Sequence, residues 1–274
     1  VIPCRAPVAA ALVGAVLVLA SCSGGGSSAA GPAASSAATT TTAPPSVAVS
    51  LPPGADSVVV ATVAGVPISE AELRSELNAV GSVPAYLDDV DASLAASGAA
   101  TRSAGGGFDP EFVRNLLRRR IVFRLVEADL ASRGEQPGDA CVVASTTKVA
   151  DSLGAGDRAR GQALLASFPA AYRDELMRWN AQLLELQSHL TGLPCDDATA
   201  ARQYFDQHTA QFGGRAFDDA KADAAKGVQA VTGQAFTAWL DTEFATVSIT
   251  VDAAYGTWDA TSGTIKPAGG AAAN

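Results

Sequence analysis

Val58-Val59-Val60-Ala61-Thr62-Val63-Ala64-Gly65-Val66-Pro67-Ile68-Ser69-Glu70-Ala71-Glu72-Leu73 holds three structural signals in one short stretch. The apolar, β-branched run up to Val63 predicts a strand over 57–63, and Ala64-Gly65-Val66-Pro67 predicts a turn. A helix must follow at once, because Ser69 and Glu72 stand at capping-box spacing and Leu73, Leu77 and Val80 recur at helical intervals. A lone strand leaves its backbone groups unpaired, so it needs a partner elsewhere in the chain.

The partner lies near the other end, where 247–251 is again apolar and β-branched. Between the two, the chain reads as helices. One starts at Asp109-Pro110-Glu111 and stops at Arg133-Gly134, with Pro137 beyond. Its residues Phe112, Val113, Leu116, Leu117, Ile121, Leu125 and Ala128 form a wide apolar stripe. Further helices are predicted over 142–153, 159–168, 170–190 and 197–212, punctuated by Gly154, Pro169, Gly192 and Pro194, and over 217–245, where Gly227 and Gly233 weaken the pattern. Residues 81–107 are rich in breakers and predict a long loop with a weak helix around 86–96, a segment suited to gating or lining a site. The fold class is therefore mostly α, with a small two-stranded pairing of the N- and C-terminal strands.

Upstream, the apolar run 7–20 is preceded by Arg5 and ends in Leu19-Ala20-Ser21-Cys22. It is too short to span a bilayer and has the shape of a cleavable export signal. The four residues read as a lipobox, so Cys22 is the expected lipidation site, with 1–21 as the signal peptide. Several acyl chains would hold the protein stably at the outer face of a bacterial cell membrane, where one alone binds only marginally. Residues 22–56 consist of Gly, Ser, Ala, Thr, Pro and Val with few other residues, which predicts a flexible tether. About 210 residues, 57–266, remain for one medium domain or two small lobes, followed by a Gly/Ala tail over 267–274.

The formal net charge is -9 and there are two histidines, which argues against a nucleic-acid surface. Cys141 and Cys195 are the cysteines of the folded part, and an exported setting favours a disulfide between them. Two buried free thiols or a redox pair are the alternatives, although nothing resembles C-x-x-C. Other chemistry fails on inspection. Asp89-x-Asp91-x-Ser93 begins like a calcium loop, but Leu94 replaces the required Gly and Ala100 the bidentate Glu. There is no P-loop lysine and no G-x-S-x-G elbow, and His189 and His208 lie far in sequence from the cysteines, so neither cofactor nor metal is expected.

Arg114, Arg118, Arg119, Arg120 and Arg124 read as a solvated helix face paired with Glu111 and Glu127. Tyr172, Trp179, Leu183 and Leu186 form an aromatic and apolar stripe; such stripes usually pack into a core, but this one is also the candidate client-binding surface.

These patterns resemble the SurA N-terminal-domain-like foldases. The run 59–73 is similar to the family's opening strand, its turn (usually Asn-Gly, here Ala64-Gly65) and its first helix. Residues 115–134 are similar to the second family helix. Residues 196–212, with Tyr204-Phe205 and Gln211-Phe212, look like the helix that precedes the isomerase module. The 247–251 strand with Tyr255-Gly256-x-Trp258 resembles the ending of lipoprotein members from high-GC Gram-positive bacteria. The parvulin isomerase module should follow Phe212, yet only Gly213-Gly214 and a helix stand there, without the paired histidines such sites use. The resemblance thus implies a SurA-like helical chaperone domain that holds unfolded or nascent exported proteins without covalent catalysis. Prolyl isomerisation by descent, or a structural role in envelope assembly, are the alternatives.

Overall fold

Ala64 and Gly65 both adopt positive φ, 50° and 81°, the conformation that a two-residue hairpin turn of the primed type demands. The opening stretch is therefore a hairpin: β1 (Val59–Val63) pairs antiparallel with β2 (Val66–Ser69), Val63 opposite Val66. Val66 and Pro67, expected in the turn, belong to β2, whose place at the sheet edge tolerates a proline that has no N–H to give. On the other side of β1 lies β3 (Ile249–Val251), also antiparallel, with Ala61 opposite Val251 and Val63 opposite Ile249. The expected pairing of the two terminal segments is present, within a sheet of three strands.

The computed structural model describes residues 58–268. Cys22 and the segments expected to be signal peptide (1–21) and tether (22–56) lie outside the described residues. Among the described residues there are eight α-helices, and none is long and apolar enough to cross a membrane. In α1 (Glu70–Gly81) the capping box is complete: the Ser69 N–H donates to Glu72 (2.7 Å) and the Glu72 N–H to the Ser69 hydroxyl (3.2 Å). Burial pushes the Glu72 carboxyl upward, but the Ser69 bonds and Arg124 outweigh it and hold the group below its ordinary range.

The helix expected around 86–96 within the 81–107 segment is present as α2 (Pro84–Leu94), two residues earlier and packed, with Tyr86, Leu87, Val90 and Leu94 buried in the main core. Pro84 opens it at N1, where the missing N–H costs nothing. The chain beyond is tied back by Asp91, which accepts from the N–H (2.6 Å) and hydroxyl (3.0 Å) of Thr101. The α2 part of this segment is packed framework, while 104–107 is exposed.

The long helix α3 (Pro110–Arg133) starts where Asp109 accepts the Glu111 N–H (2.7 Å) and ends at Gly134 in the left-handed region, φ 69°. Leu117, Ile121, Val122, Leu125 and Val126 are almost wholly buried, each worth roughly 1.5–3 kcal/mol relative to exposure. The arginine series on this helix is not the solvated face expected. Arg118, Arg119 and Arg120 are buried. Glu76 of α1, wholly buried, receives ion pairs from both Arg119 and Arg120. Arg119 also donates to the Tyr172 hydroxyl (2.8 Å), and Arg120 lies over the Trp179 ring, 5.2 Å from its centroid. Buried charges persist only when paired and hydrogen-bonded, and Glu76 is what lets two neighbouring arginines turn inward. Arg118 donates to the carbonyl of Gly263, while Arg124 stays half-exposed and pairs with Glu72 and Glu127.

Next come α4 (Asp139–Leu153), α5 (Arg158–Ser167) and α6 (Ala170–Thr191). At Gly154 and Gly161 the backbones of α4 and α5 meet directly; a Cβ on Gly161 would lie 1.7 Å from the Ala150 carbonyl oxygen. Tyr172, Trp179, Leu183 and Leu186 of α6 are all buried in the main core, where Trp179 stacks on Phe123 (4.6 Å between centroids). As a client-binding surface the stripe is therefore corrected: it is core, because α6 is packed among other helices.

A second, smaller core is built by α7 (Asp197–Gln207), the 3-10 turn Thr209–Phe212 and the first part of α8 (Phe217–Thr246). Leu193, Ala200, Ala201, Tyr204, Phe205, Phe212, Ala220 and Ala224 form it. The same α8 then carries Phe236, Trp239, Leu240 and Phe244 into the main core, uninterrupted at Gly227 and Gly233. The C-terminal hairpin β4 (Thr257–Asp259) and β5 (Thr264–Lys266) lies beyond the expected elements. It seats Ile265 in the core and Trp258 edge-on to Phe244 (5.2 Å).

Candidate functional site

The first turn of α4 and the segment just before α7 are joined covalently. Cys141 and Cys195 have their sulfurs at bonding distance and their Cα atoms 5.0 Å apart, the pairing expected from the sequence. Each element is fixed locally. Gly138, the N-cap of α4, donates its N–H to Glu185 of α6 (2.8 Å). Asp196, the N-cap of α7, accepts from the Thr199 hydroxyl (2.7 Å) and N–H (2.8 Å), and these bonds hold its carboxyl below the ordinary range. Lys148 of α4 reaches Asp197 of α7 (2.6 Å).

Between these helices and the start of α5 runs a groove of about 510 Å³. Ala140, Val143 and Ala144 of α4 and Ala198 of α7 are its apolar lining; Thr147, Lys148, Arg158, Asp139, Asp196 and Asp197 are its polar lining. Arg158, itself exposed, makes a two-pronged contact with Asp151 (both 2.8 Å), which lowers the Asp151 carboxyl and raises the guanidinium. Val143 is 72% exposed and its neighbour Val142 48%, so an apolar ridge stands open to solvent beside the groove.

Lining cations that already have carboxylate partners can orient a passing backbone without demanding a counter-ion, and the small apolar lining residues leave room for short apolar side chains. No histidine, cysteine or serine is among the lining residues. His189 sits elsewhere, at the end of α6, where its Nε2 is 2.6 Å from Arg133; a guanidinium can only donate, so that nitrogen accepts. His208 stacks on Tyr204 (4.1 Å between centroids) in the second core. The two histidines thus serve different surroundings.

None of the residues expected to bind clients lines this groove. Its residues were hidden in sequence because alanines carry little signal. One hint existed: consecutive valines at 142 and 143 cannot both lie on the buried side of a helix that also buries Cys141, Ser145 and Val149. Glu185 was missed as well. One of its carboxylate oxygens and the two cysteine sulfurs all lie within 4.8 Å of one another, although the sulfurs are committed to each other while the disulfide holds.

No protein-family model, curated protein or solved structure matches this chain.

Proposed function

We propose that this protein is a membrane-tethered extracytoplasmic chaperone that holds exported polypeptides by short extended apolar segments, without covalent catalysis. Lipidation at Cys22 would place it at the outer face of the membrane, and the 22–56 tether would give the domain reach. The observation that carries the reading is the open apolar ridge and groove at Val142, Val143, Ala140, Ala144 and Ala198, on a rigid helical frame. The SurA-like order of strand, helices and closing strand supports it. Extended segments gain affinity in such a groove from its apolar lining and from contacts with its polar lining.

The test is aggregation of a chemically unfolded client in the presence of the purified protein. Wild type should suppress light scattering in proportion to its concentration. Val143→Asp, at a position whose side chain is open to solvent, should fold normally and lose most of that protection. Equal protection by the variant, or none by wild type, would overturn the reading. Acceleration of a proline-limited refolding phase would instead favour isomerase chemistry.

A further inference from the structure

We propose that Cys141, Cys195 and Glu185 become, once the disulfide is reduced, a binding site for a thiophilic divalent cation of the zinc class. The site lies outside the groove lining and does not depend on client binding.

The three side chains come from three separate elements: the first turn of α4, the segment just before α7, and the C-terminal half of α6. Their donor atoms already lie within 4.8 Å of one another. A tetrahedral cation needs sulfur at about 2.3 Å and carboxylate oxygen at about 2.0–2.2 Å, which rotation of the two cysteine side chains supplies from Cα atoms 5.0 Å apart. Water would complete the fourth position. Sulfur, sulfur and one carboxylate is a donor set that suits zinc and disfavours magnesium or calcium.

Electrostatics points the same way. Cys141 sits in the first turn of α4, and Cys195 directly precedes Asp196, the N-cap of α7. Two helix N-termini therefore converge on the sulfurs, and the positive end of a helix favours thiolate over thiol. Glu185 is half-buried beside them, and both cysteines are buried against Leu184 and Ala144. Negative groups crowded in such a setting repel unless a cation is shared among them. The carboxylate is also oriented beforehand, since one oxygen accepts the Gly138 N–H (2.8 Å), the kind of outer hydrogen bond that holds a ligand in position.

The reductant is a dithiol. Two electrons and two protons pass from it to the Cys141–Cys195 bond, which breaks into two thiols while the dithiol closes to its own disulfide. Each thiol then releases its proton to solvent as the cation binds. The covalent clamp between α4 and α7 is replaced by a coordinate one.

The experiment uses the full chain, reduced anaerobically with dithiothreitol, desalted and titrated with Co²⁺ and then Zn²⁺. One equivalent of Co²⁺ should give sulfur-to-cobalt charge-transfer absorption in the near ultraviolet, which Zn²⁺ displaces. The oxidised protein and Cys141→Ser should not show it. Glu185→Gln keeps an acceptor for Gly138 and should bind at least about tenfold more weakly, within the range seen when a metal site loses a supporting group. If reduction alone loosens the fold, Zn²⁺ should restore the helical circular dichroism. Absence of the charge-transfer band in reduced wild type, failure of that restoration, or an unchanged affinity in Glu185→Gln would each overturn the proposal.

Discussion

Gly227 lies against the ring of Tyr204 so closely that a Cβ there would stand 2.3 Å from Cε1. The ring cannot yield, because it is stacked on His208 and edge-on to Phe212. Gly227→Ala should gain about 1 kcal/mol of helix propensity and lose about 1–3 kcal/mol to overpacking, for a net destabilisation in urea melts. Combining it with Tyr204→Leu, which frees the space, should leave the alanine neutral or favourable. Stabilisation by Gly227→Ala alone would contradict this packing.

Glu76 is the anchor of the buried charge network. Glu76→Ala should cost about 3–5 kcal/mol, because it leaves Arg119 and Arg120 buried without their shared carboxylate. A combined Glu76→Leu, Arg119→Met, Arg120→Leu variant should recover most of that loss. Chemical denaturation of the series distinguishes a broken ion pair from a broken helix contact.

Removing the crosslink by Cys141→Ala with Cys195→Ala should lower stability by about 4 kcal/mol in the chain-entropy account, since it closes a loop with a sequence separation of 54. A loss confined to hydrogen exchange in α7 and the first part of α8 would show that the clamp mainly positions the second core.

The packing of α2 is tested by Leu87→Ala. Leu87 is 4% exposed in the main core, so the loss should be about 2–5 kcal/mol. A change below about 0.5 kcal/mol, the usual range for surface positions, would mean that this segment does not pack as described.

The C-terminal hairpin carries a pH signature. Hydrogen bonds from Lys266 first, then from Ser262 and Thr261, hold the Asp259 carboxyl at about 2, below its ordinary 3.8. A depressed carboxyl favours the folded hairpin in its ionised form. That contribution is complete above 3.8 and fades as pH falls through about 2. Titration of the Asp259 carboxyl carbon by NMR should report this midpoint, and Lys266→Met should move it upward.

Much of the frame was legible because its signals are local. The capping box at Ser69 and Glu72, the Asp109-Pro110 start and the Gly134 stop of α3 each depend on residues within one turn. What failed to show depends on partners distant in the chain. Three consecutive arginines occupy three directions around a helix, so at least one had to face inward, but Glu76, the carboxylate shared by two of them, lies more than forty positions earlier. Gly227 looked like a weakness in α8 and is instead a requirement of Tyr204. Segment α2 was legible only as a weak helix around 86–96, because the flanking breakers masked its Pro84 start and the burial of Tyr86, Leu87, Val90 and Leu94. At the candidate site the cysteine pair could be read from the sequence. Glu185 and the alanine lining could not, since their meaning comes from the crossing of α4, α6 and α7.

The central place of β1 has a consequence for how the chain reaches this state. A polypeptide is synthesised from its N-terminus, so β1 and β2 can close their hairpin early, while the other edge of β1 waits for β3, almost at the far end of the domain. Until β3 arrives, Ala61 to Val63 present open backbone groups beside an unfinished core. The sheet therefore acts as a completion check: the domain can lock only after nearly all of it has been delivered, and a chain truncated before residue 249 should remain adhesive to other strands and vulnerable to proteases.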